Sequence, residues 1–315
     1  MKLLVSCCLI SYNHVEYIDK AIESIIMQQT DFEIEIIIAD DCSKDGTQEK
    51  IKRFAEKHPE KIRTILREKN IGAAQNFIAL LQAATGKYIA YLEGDDYWTS
   101  DLKLQKQVDF LEANEDYAIS SHNTTVFNKN NKTYLYSDIV SKKNALQNTF
   151  ELVDYLNDHF IHSSSLVFRR SMLKPFPAWY ANAFAGDGFL ILLLSLEGKI
   201  HYLNEPLSVY RHNETSISNY INRVEINKNF EKHFKHFDEH SDYKFSKEIK
   251  NKLFALKFNL NYYNSSYLKK LIFFFKNFGR IIKAPKAILP AIGRYKFLLP
   301  SQILKSRINI NQKKS

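Results

Sequence analysis

Two rhythms alternate through the first hundred residues of the chain. Residues 3–10 form a continuous apolar run, as expected of a strand covered on both faces. Ile18, Ala21, Ile22, Ile25 and Ile26 then recur at helical spacing behind Asn13, which can serve as the helix cap. The same alternation repeats. Residues 34–39 predict a second strand, followed by a polar turn and a helix that stops before Pro59. Residues 62–66 predict a third strand, and a helix runs from Asn70-Ile71-Gly72 to a Thr85-Gly86 stop. Residues 87–92 predict a fourth strand. Strands separated by crossover helices imply an α/β fold with a mostly parallel sheet.

Beyond Trp98 the pattern loosens. A helix is expected over 102–114 and a strand over 117–127. A polar loop follows at 128–132, then a helical stretch at 144–159 and a short strand at 164–168. An apolar helix is expected at 189–196. Residues 202–210 contain Pro206 and read as an edge strand or turn. From residue 221 the chain reads as helical, so two regions are expected, 1–220 and 221–315.

Composition narrows the class. Of 315 residues, 45% are hydrophobic and 25% charged, an ordinary globular balance. Cys7, Cys8 and Cys42 are too few for a disulfide scaffold and lack metal-binding spacing. They read as reduced thiols of a cytosolic protein. The apolar N-terminus lacks a small-residue cleavage site and is expected to be a strand, not a leader. No run of 18 apolar residues is present.

Charge is unevenly placed. Residues 1–242 carry 27 Lys and Arg against 34 Asp and Glu, whereas residues 243–315 carry 17 against one. The basicity therefore belongs to the tail. Within it, Leu268, Leu271, Ile272, Phe275, Phe278 and Ile282 fall at helical spacing beside Lys269, Lys270, Lys276, Arg280 and Lys283. That pattern predicts a helix lying in an anionic membrane interface, with packing on the rest of the chain as the alternative.

Acids gather at two strand ends: Asp40 and Asp41 after the second strand, then Glu93, Asp95 and Asp96 after the fourth. Open parallel sheets bind ligands outside the carboxyl ends of their strands. Three carboxylates within four residues repel one another unless a cation lies among them. All-oxygen donors of this kind suit Mg²⁺ or Mn²⁺ together with substrate phosphates.

Four segments carry a further signal: Ile10-Ser11-Tyr12-Asn13, Asp40-Asp41-Cys42-Ser43-Lys44-Asp45-Gly46-Thr47, Asn70-Ile71-Gly72-Ala73-Ala74-Gln75-Asn76 and Leu92-Glu93-Gly94-Asp95-Asp96. In this order and spacing they resemble a family 2 glycosyltransferase of the GT-A (Rossmann-like) fold. The resemblance implies an inverting enzyme that uses a nucleotide-diphospho-sugar, with UDP the expected nucleotide. It places Ser11, Tyr12 and Asn13 at the nucleotide, with Tyr12 stacked on the base. Asp41 would accept from the base N3–H, with Asp40 a second contact or a helix-turn cap. The family's Asp-x-Asp motif reads Glu93-Gly94-Asp95-Asp96 here. Asp95 is expected at the ribose and metal, Asp96 at the metal and Glu93 behind them.

The same resemblance makes Asp187, in Gly186-Asp187-Gly188, the base that deprotonates the acceptor hydroxyl, with helix capping its plainer role. His212, in Tyr210-Arg211-His212, would reach the metal or diphosphate. The segment His162-Ser163-Ser164-Ser165 falls on the acceptor side, Arg169 and Arg170 could pair with diphosphate, with a solvated pair the plainer reading, and Trp98 and Trp179 could stack on sugar, with core or lid packing the alternative for Trp179. The implied setting is cell-surface polysaccharide synthesis (capsule or lipopolysaccharide) on a glycan or lipid-linked acceptor, cytoplasmic and peripheral on the inner membrane face. A nucleotidyltransferase is the nearest rival, but no Gly-rich phosphate loop follows the first strand. A nucleic-acid partner is not expected, because the body is acidic and no such binding motif occurs. A catalytically dead scaffold is disfavoured by the intact Asp95, Asp96 and Asp187.

Overall fold

The structure, a computed structural model, describes residues 3–128, 133–136, 147–183, 186–212 and 223–263. The basic segment 268–283 lies outside the described residues.

Strands β1 (Leu3–Ser11), β2 (Glu33–Asp40), β3 (Ile62–Leu66) and β4 (Tyr88–Glu93) alternate with helices α1 (Ile18–Ile26), α2 (Thr47–Lys57) and α3 (Ala73–Gln82). β1 pairs in parallel with both β2 and β4, and β2 in parallel with β3. The continuous apolar runs follow from this arrangement. Successive strand side chains point to opposite faces, so Cys7, Ile36 and Ile38 enter one core cluster and Cys8, Ile37 and Ala39 the other. α1 covers the first face through Ile18, Ile22 and Ile25. α3 covers the second through Phe77, Leu80 and Leu81. All three cysteines are free and buried. Asn13 does not cap α1, whose cap residue is Tyr17. Asn13 instead lies at φ 55° and turns its Oδ1 to the Lys44 N–H at 3.1 Å.

The second half completes the sheet. β5 (Tyr97–Trp98) and α4 (Lys103–Ala113) lead into β6 (Tyr117–Asn128), β7 (Thr133–Leu135), β8 (Thr149–Phe150), α5 (Leu152–Asp158), β9 (Val167–Arg169), α6 (Gly186–Leu194) and β10 (Lys199–His212). The main strand order is β3-β2-β1-β4-β9-β6-β10-β5. β9 lies antiparallel between β4 and β6. β10 is no edge or turn: it runs parallel to β6 on one side and pairs with β5 and β8 on the other. Pro206 is accommodated because the register with β6 shifts on both sides of it, where no ladder hydrogen bond is required of its nitrogen.

Helices α7 (Arg223–His240) and α8 (Ser246–Tyr263) follow. Their Phe234, Phe237, Ile249 and Leu256 join the cluster that holds Tyr180 and Leu190, so residues 223–263 share the core of the sheet. Among the described residues, no helix is long and apolar enough to cross a membrane.

Candidate functional site

The parallel register sets the site's floor. Ser11 pairs with Asp40, and Ile10 with Glu93, so both acidic strand ends meet on one rim with the end of β1.

On the β2 side the loops brace one another. Asp40 is fully buried. Its Oδ1 accepts from the Ser43 N–H and Gln48 Nε2, both at 2.8 Å, and its Oδ2 from the Ser43 hydroxyl at 2.5 Å. Those bonds make Asp40 the brace of its own loop. The Asp41 carboxylate accepts from the backbone N–H groups of Ile71 and Gly72 at 2.8 and 2.9 Å. Each of its oxygens retains a lone pair for a ligand. Asn13 N–H donates to the Ser43 hydroxyl at 2.7 Å. Ser11 Oγ is buried without a partner, while neighbouring Tyr12 is 47% exposed. Ser11, Tyr12, Asn13 and Asp41 thus lie together on this side of the rim.

On the β4 side the turn is held tightly. A Cβ at Gly94 would come within 2.7 Å of His14 Nδ1 and 3.2 Å of the Ile10 carbonyl, so only glycine fits without a shift. Asp96 is fully buried; its Oδ1 accepts from the Arg211 N–H at 2.9 Å, and its Oδ2 has no partner. Glu93 accepts from the Ser163 hydroxyl at 3.1 Å and the Tyr91 hydroxyl at 3.4 Å. The His162 Nδ1 stands 3.9 Å from Asp96 Oδ2. One donor atom each from Glu93, Asp96 and His162 lies within 4.8 Å of the others. Asp95 stands outside this trio, its Oδ1 3.9 Å from His14 Nε2. Arg211 spans the turn: it donates to the Asp95 carbonyl at 3.0 Å and lies over the Tyr97 ring at 4.5 Å.

Electrostatics single out the same groups. Burial, then the neighbouring Asp95 and Asp187, pushes Glu93 up to about 8. Burial, then Asp95 and Glu93, holds Asp96 well above the usual carboxylate range. Burial also raises Asp187, against backbone N–H bonds that lower it. Burial pushes His162 down to about 3, leaving a neutral imidazole able to ligate a metal. A cation would relieve the carboxylate crowding and give Asp96 Oδ2 the partner it lacks. The donor set therefore fits a divalent ion.

Asp187 opens α6, close enough to Glu93 to raise that carboxyl. The backbone of His212 ends β10 opposite Asn128; its side chain lies outside the described residues. Two other expectations are corrected, for Trp98 and for the Arg169–Arg170 pair, and Trp179 takes its packing alternative. Trp98 is 1% exposed and donates from its ring to the Ser164 carbonyl at 2.9 Å, so it is core and not a sugar platform. Arg169 donates to the carbonyls of Tyr117, Leu111 and Asn114, and Arg170 to that of Gly86. Both hold backbone, not diphosphate. Trp179 packs on Phe189 and over His236.

Sequence reasoning left Glu93 behind the metal and His162 on the acceptor side. Their meeting depends on the antiparallel β4–β9 pairing, extended by Tyr91 N–H donating to the Leu166 carbonyl at 3.2 Å. The segment before β9 is thereby laid against Glu93. The only sequence signal was a histidine just ahead of a short strand.

The sequence profile of glycosyl transferase family 2 matches residues 6–176. The chain belongs to glycosyl transferase family 2. Relatives match over more of it. An uncharacterized protein of Mycobacterium tuberculosis is 36% identical over 217 residues, 66% of this chain and 58% of its own length. The chain thus spans little more than half of that relative. An Escherichia coli UDP-Glc:alpha-D-GlcNAc-diphosphoundecaprenol beta-1,3-glucosyltransferase is 29% identical, over 68% of this chain and 79% of its own. Among solved structures, S. aureus TarS with UDP-GlcNAc superposes with a TM-score of 0.61 at 17% identity, covering 96% of this chain and 83% of its own. A Pyrobaculum calidifontis mannosyltransferase with GDP-Man and Mn²⁺ gives 0.57 at 16%, covering 93% and 85%. These superpositions establish the GT-A fold.

Proposed function

We propose that this family 2 chain is an inverting glycosyltransferase that moves a sugar from a UDP-linked donor to a glycan or lipid-linked acceptor. The observation that carries the reading is the cluster of Glu93, Asp96 and His162, in which a buried Asp96 oxygen lacks a hydrogen-bond partner, with Asp187 near enough to raise Glu93. Tyr12 offers an exposed ring for the base, Asp41 a free lone pair for its N3–H, and Ser11 an unpaired hydroxyl. Asp40 acts through the loop it braces. Asp95 faces the ribose.

Glu93, Asp96 and His162 would hold Mg²⁺ or Mn²⁺, and the imidazole favours Mn²⁺ because Mg²⁺ prefers oxygen donors. Such an ion would neutralise the departing diphosphate. His212 remains a candidate diphosphate contact at the end of β10. Asp187 takes the proton of the acceptor hydroxyl as that oxygen bonds to the anomeric carbon and the bond to diphosphate breaks. Its raised proton affinity in this buried place suits a base.

The donor and acceptor classes named for the E. coli relative, a UDP-sugar and a lipid-diphosphate-linked sugar, support a role in cell-surface polysaccharide synthesis. The basic tail supports attachment to the anionic inner face of a cell membrane. The test incubates the full chain with Mn²⁺ and each common nucleotide sugar and measures nucleotide diphosphate release. Release from one UDP-sugar, abolished by EDTA, is expected. Undiminished release in EDTA removes the metal from the proposal, and no release from any donor removes the activity.

A further inference from the structure

His14 reaches from the β2 side of the rim to the acidic turn after β4. It follows Asn13 in the connection from β1 to α1, and its backbone is held at both ends. Its N–H donates to the Thr47 hydroxyl at 2.9 Å, and its carbonyl accepts from the Tyr17 and Ile18 N–H groups, both at 2.9 Å. The ring has little room. A Cβ at Gly94 would come within 2.7 Å of its Nδ1, and that nitrogen is buried without a partner. Its Nε2 stands 3.9 Å from Asp95 Oδ1, and both side chains are mostly buried. The backbone that carries Asp95 is fixed as well. Gly94 N–H donates to the Ile10 carbonyl at 2.8 Å, Asp96 N–H to the Glu93 carbonyl at 3.0 Å, and Arg211 to the Asp95 carbonyl at 3.0 Å. What can still adjust is the Asp95 carboxylate, which lies near enough to Glu93 and Asp96 to raise both.

We infer that His14 is a positioning residue for donor choice: its Nε2–H holds the Asp95 carboxylate where it receives the ribose hydroxyls, and so sets a preference for ribonucleotides over deoxynucleotides. The inference rests on the reading that Asp95 faces the donor ribose. Placement of the ring proton follows from the packing. A proton on Nδ1 would be pressed against Gly94 with no acceptor, whereas a proton on Nε2 meets a carboxylate. The separation of 3.9 Å is longer than a hydrogen bond, and pairs of this kind tighten when a site fills. A carboxylate offers about four lone-pair sites, so a bond from His14 and bonds from two ribose hydroxyls can coexist. Without the His14 donor, repulsion from Glu93 and Asp96 decides where the Asp95 carboxylate turns. The ring is suited to this task because it cannot itself swing: its backbone bonds and its contact with Gly94 make it a fixed post beside a movable acid.

The test uses the full chain with Mn²⁺ and measures its affinity for UDP, 2′-deoxy-UDP and 3′-deoxy-UDP by calorimetry. UDP is expected to bind roughly tenfold or more tightly than one of the deoxy forms, as when a site built for a hydroxyl meets an analogue without it. His14→Ala keeps the backbone bonds of the turn. It should cut the preference to about threefold or less by weakening UDP, while affinity for the disfavoured deoxy form moves less than about twofold. His14→Gln, whose amide N–H can reach the same carboxylate, should keep most of the preference. In an Asp95→Ala chain, His14→Ala should change little further, because the group it positions is gone. A merely structural His14 would instead weaken UDP and both deoxy forms alike. Equal weakening, an unchanged preference in His14→Ala, or a His14→Gln no better than His14→Ala overturns the inference and leaves the donor reading in place. If UDP binds and the unaltered chain prefers it to neither deoxy form, Asp95 does not face the ribose, and the inference falls with that assignment. Failure to bind UDP at all removes the proposed function itself.

Discussion

At the scale of single residues, the proposed cation site makes opposite demands on function and stability. Asp96 is buried with one oxygen unmet, a cost to the metal-free fold. Asp96→Asn should therefore leave the melting temperature of the metal-free protein unchanged or higher, yet lower transfer by roughly 10²-fold or more. Calorimetry and turnover on one sample check both halves. Glu93→Gln should weaken Mn²⁺ binding more than Asp95→Asn does, because Asp95 stands outside the trio; titration of each variant with Mn²⁺ decides this. Asp187→Asn should keep UDP binding and lose transfer; near-wild-type turnover would leave Asp187 a helix cap only. Lys103 supplies a pH dependence above neutrality. It is fully buried, its Nζ has no hydrogen-bond partner, and it sits over the Trp98 ring at 4.2 Å. Burial pushes it down to about 7 from 10.5. Between those values the unfolded chain holds a proton that the folded chain has released, so this group makes stability rise with pH across that window. Lys103→Met should flatten the rise and, at neutral pH, add about 1–3 kcal/mol, as read from denaturant unfolding at pH 7 and 10.

Elements divide by how far apart their partners lie in sequence. β1, β2 and β4 were legible because their inner residues are covered on both faces and each helix packs locally, so periodicity and burial agree. The acidic ends followed, since register alone brings Asp40 and Glu93 to one rim. β9 and β10 were expected in part, as a short strand at 164–168 and an edge strand or turn at 202–210, but their places in the sheet were not legible. A three-residue strand has almost no period, and Pro206 argued for an edge until the register shift beside it explained its place. Trp98 and Arg169 misled for a related reason. Their types suit ligands, but their surroundings are β9, α4 and the turn before β6, contacts that no local pattern announces. The close approach at Gly86 is an element-scale test. A Cβ there would lie 2.8 Å from the Ser6 nitrogen in β1, so Gly86→Ala must push β4 from β1. A loss of about 1–3 kcal/mol is expected, measured by thermal melting, with a weaker Mn²⁺ site because Glu93 ends the displaced strand.

For the whole molecule, charge and packing part company at residue 263. Helices α7 and α8 give Phe234, Phe237, Ile249 and Leu256 to the central core, and each fully buried side chain of this size contributes about 1.5–3 kcal/mol. A chain cut at residue 242 would lose α8 and is expected to melt well below the full protein. A chain ending at 263 keeps both helices. It removes twelve Lys and Arg and no acid. Full-length protein should sediment with anionic vesicles at low salt, and the 1–263 chain should stay in the supernatant. Equal sedimentation of both would take the membrane role from the tail.

The insertion of β9 between β4 and β6 also orders events in time. Residues 1–100 hold the whole acidic signature and emerge from the ribosome first. They lack His162, and they lack the Arg211 backbone that engages Asp96. A nascent chain can therefore complete its first βαβ layers while its ion site is still missing one donor and one anchor. Pairing so distant in sequence is slow to form. The proposed ion site is thus incomplete through much of the chain's own synthesis, and it is complete only once the second half has docked.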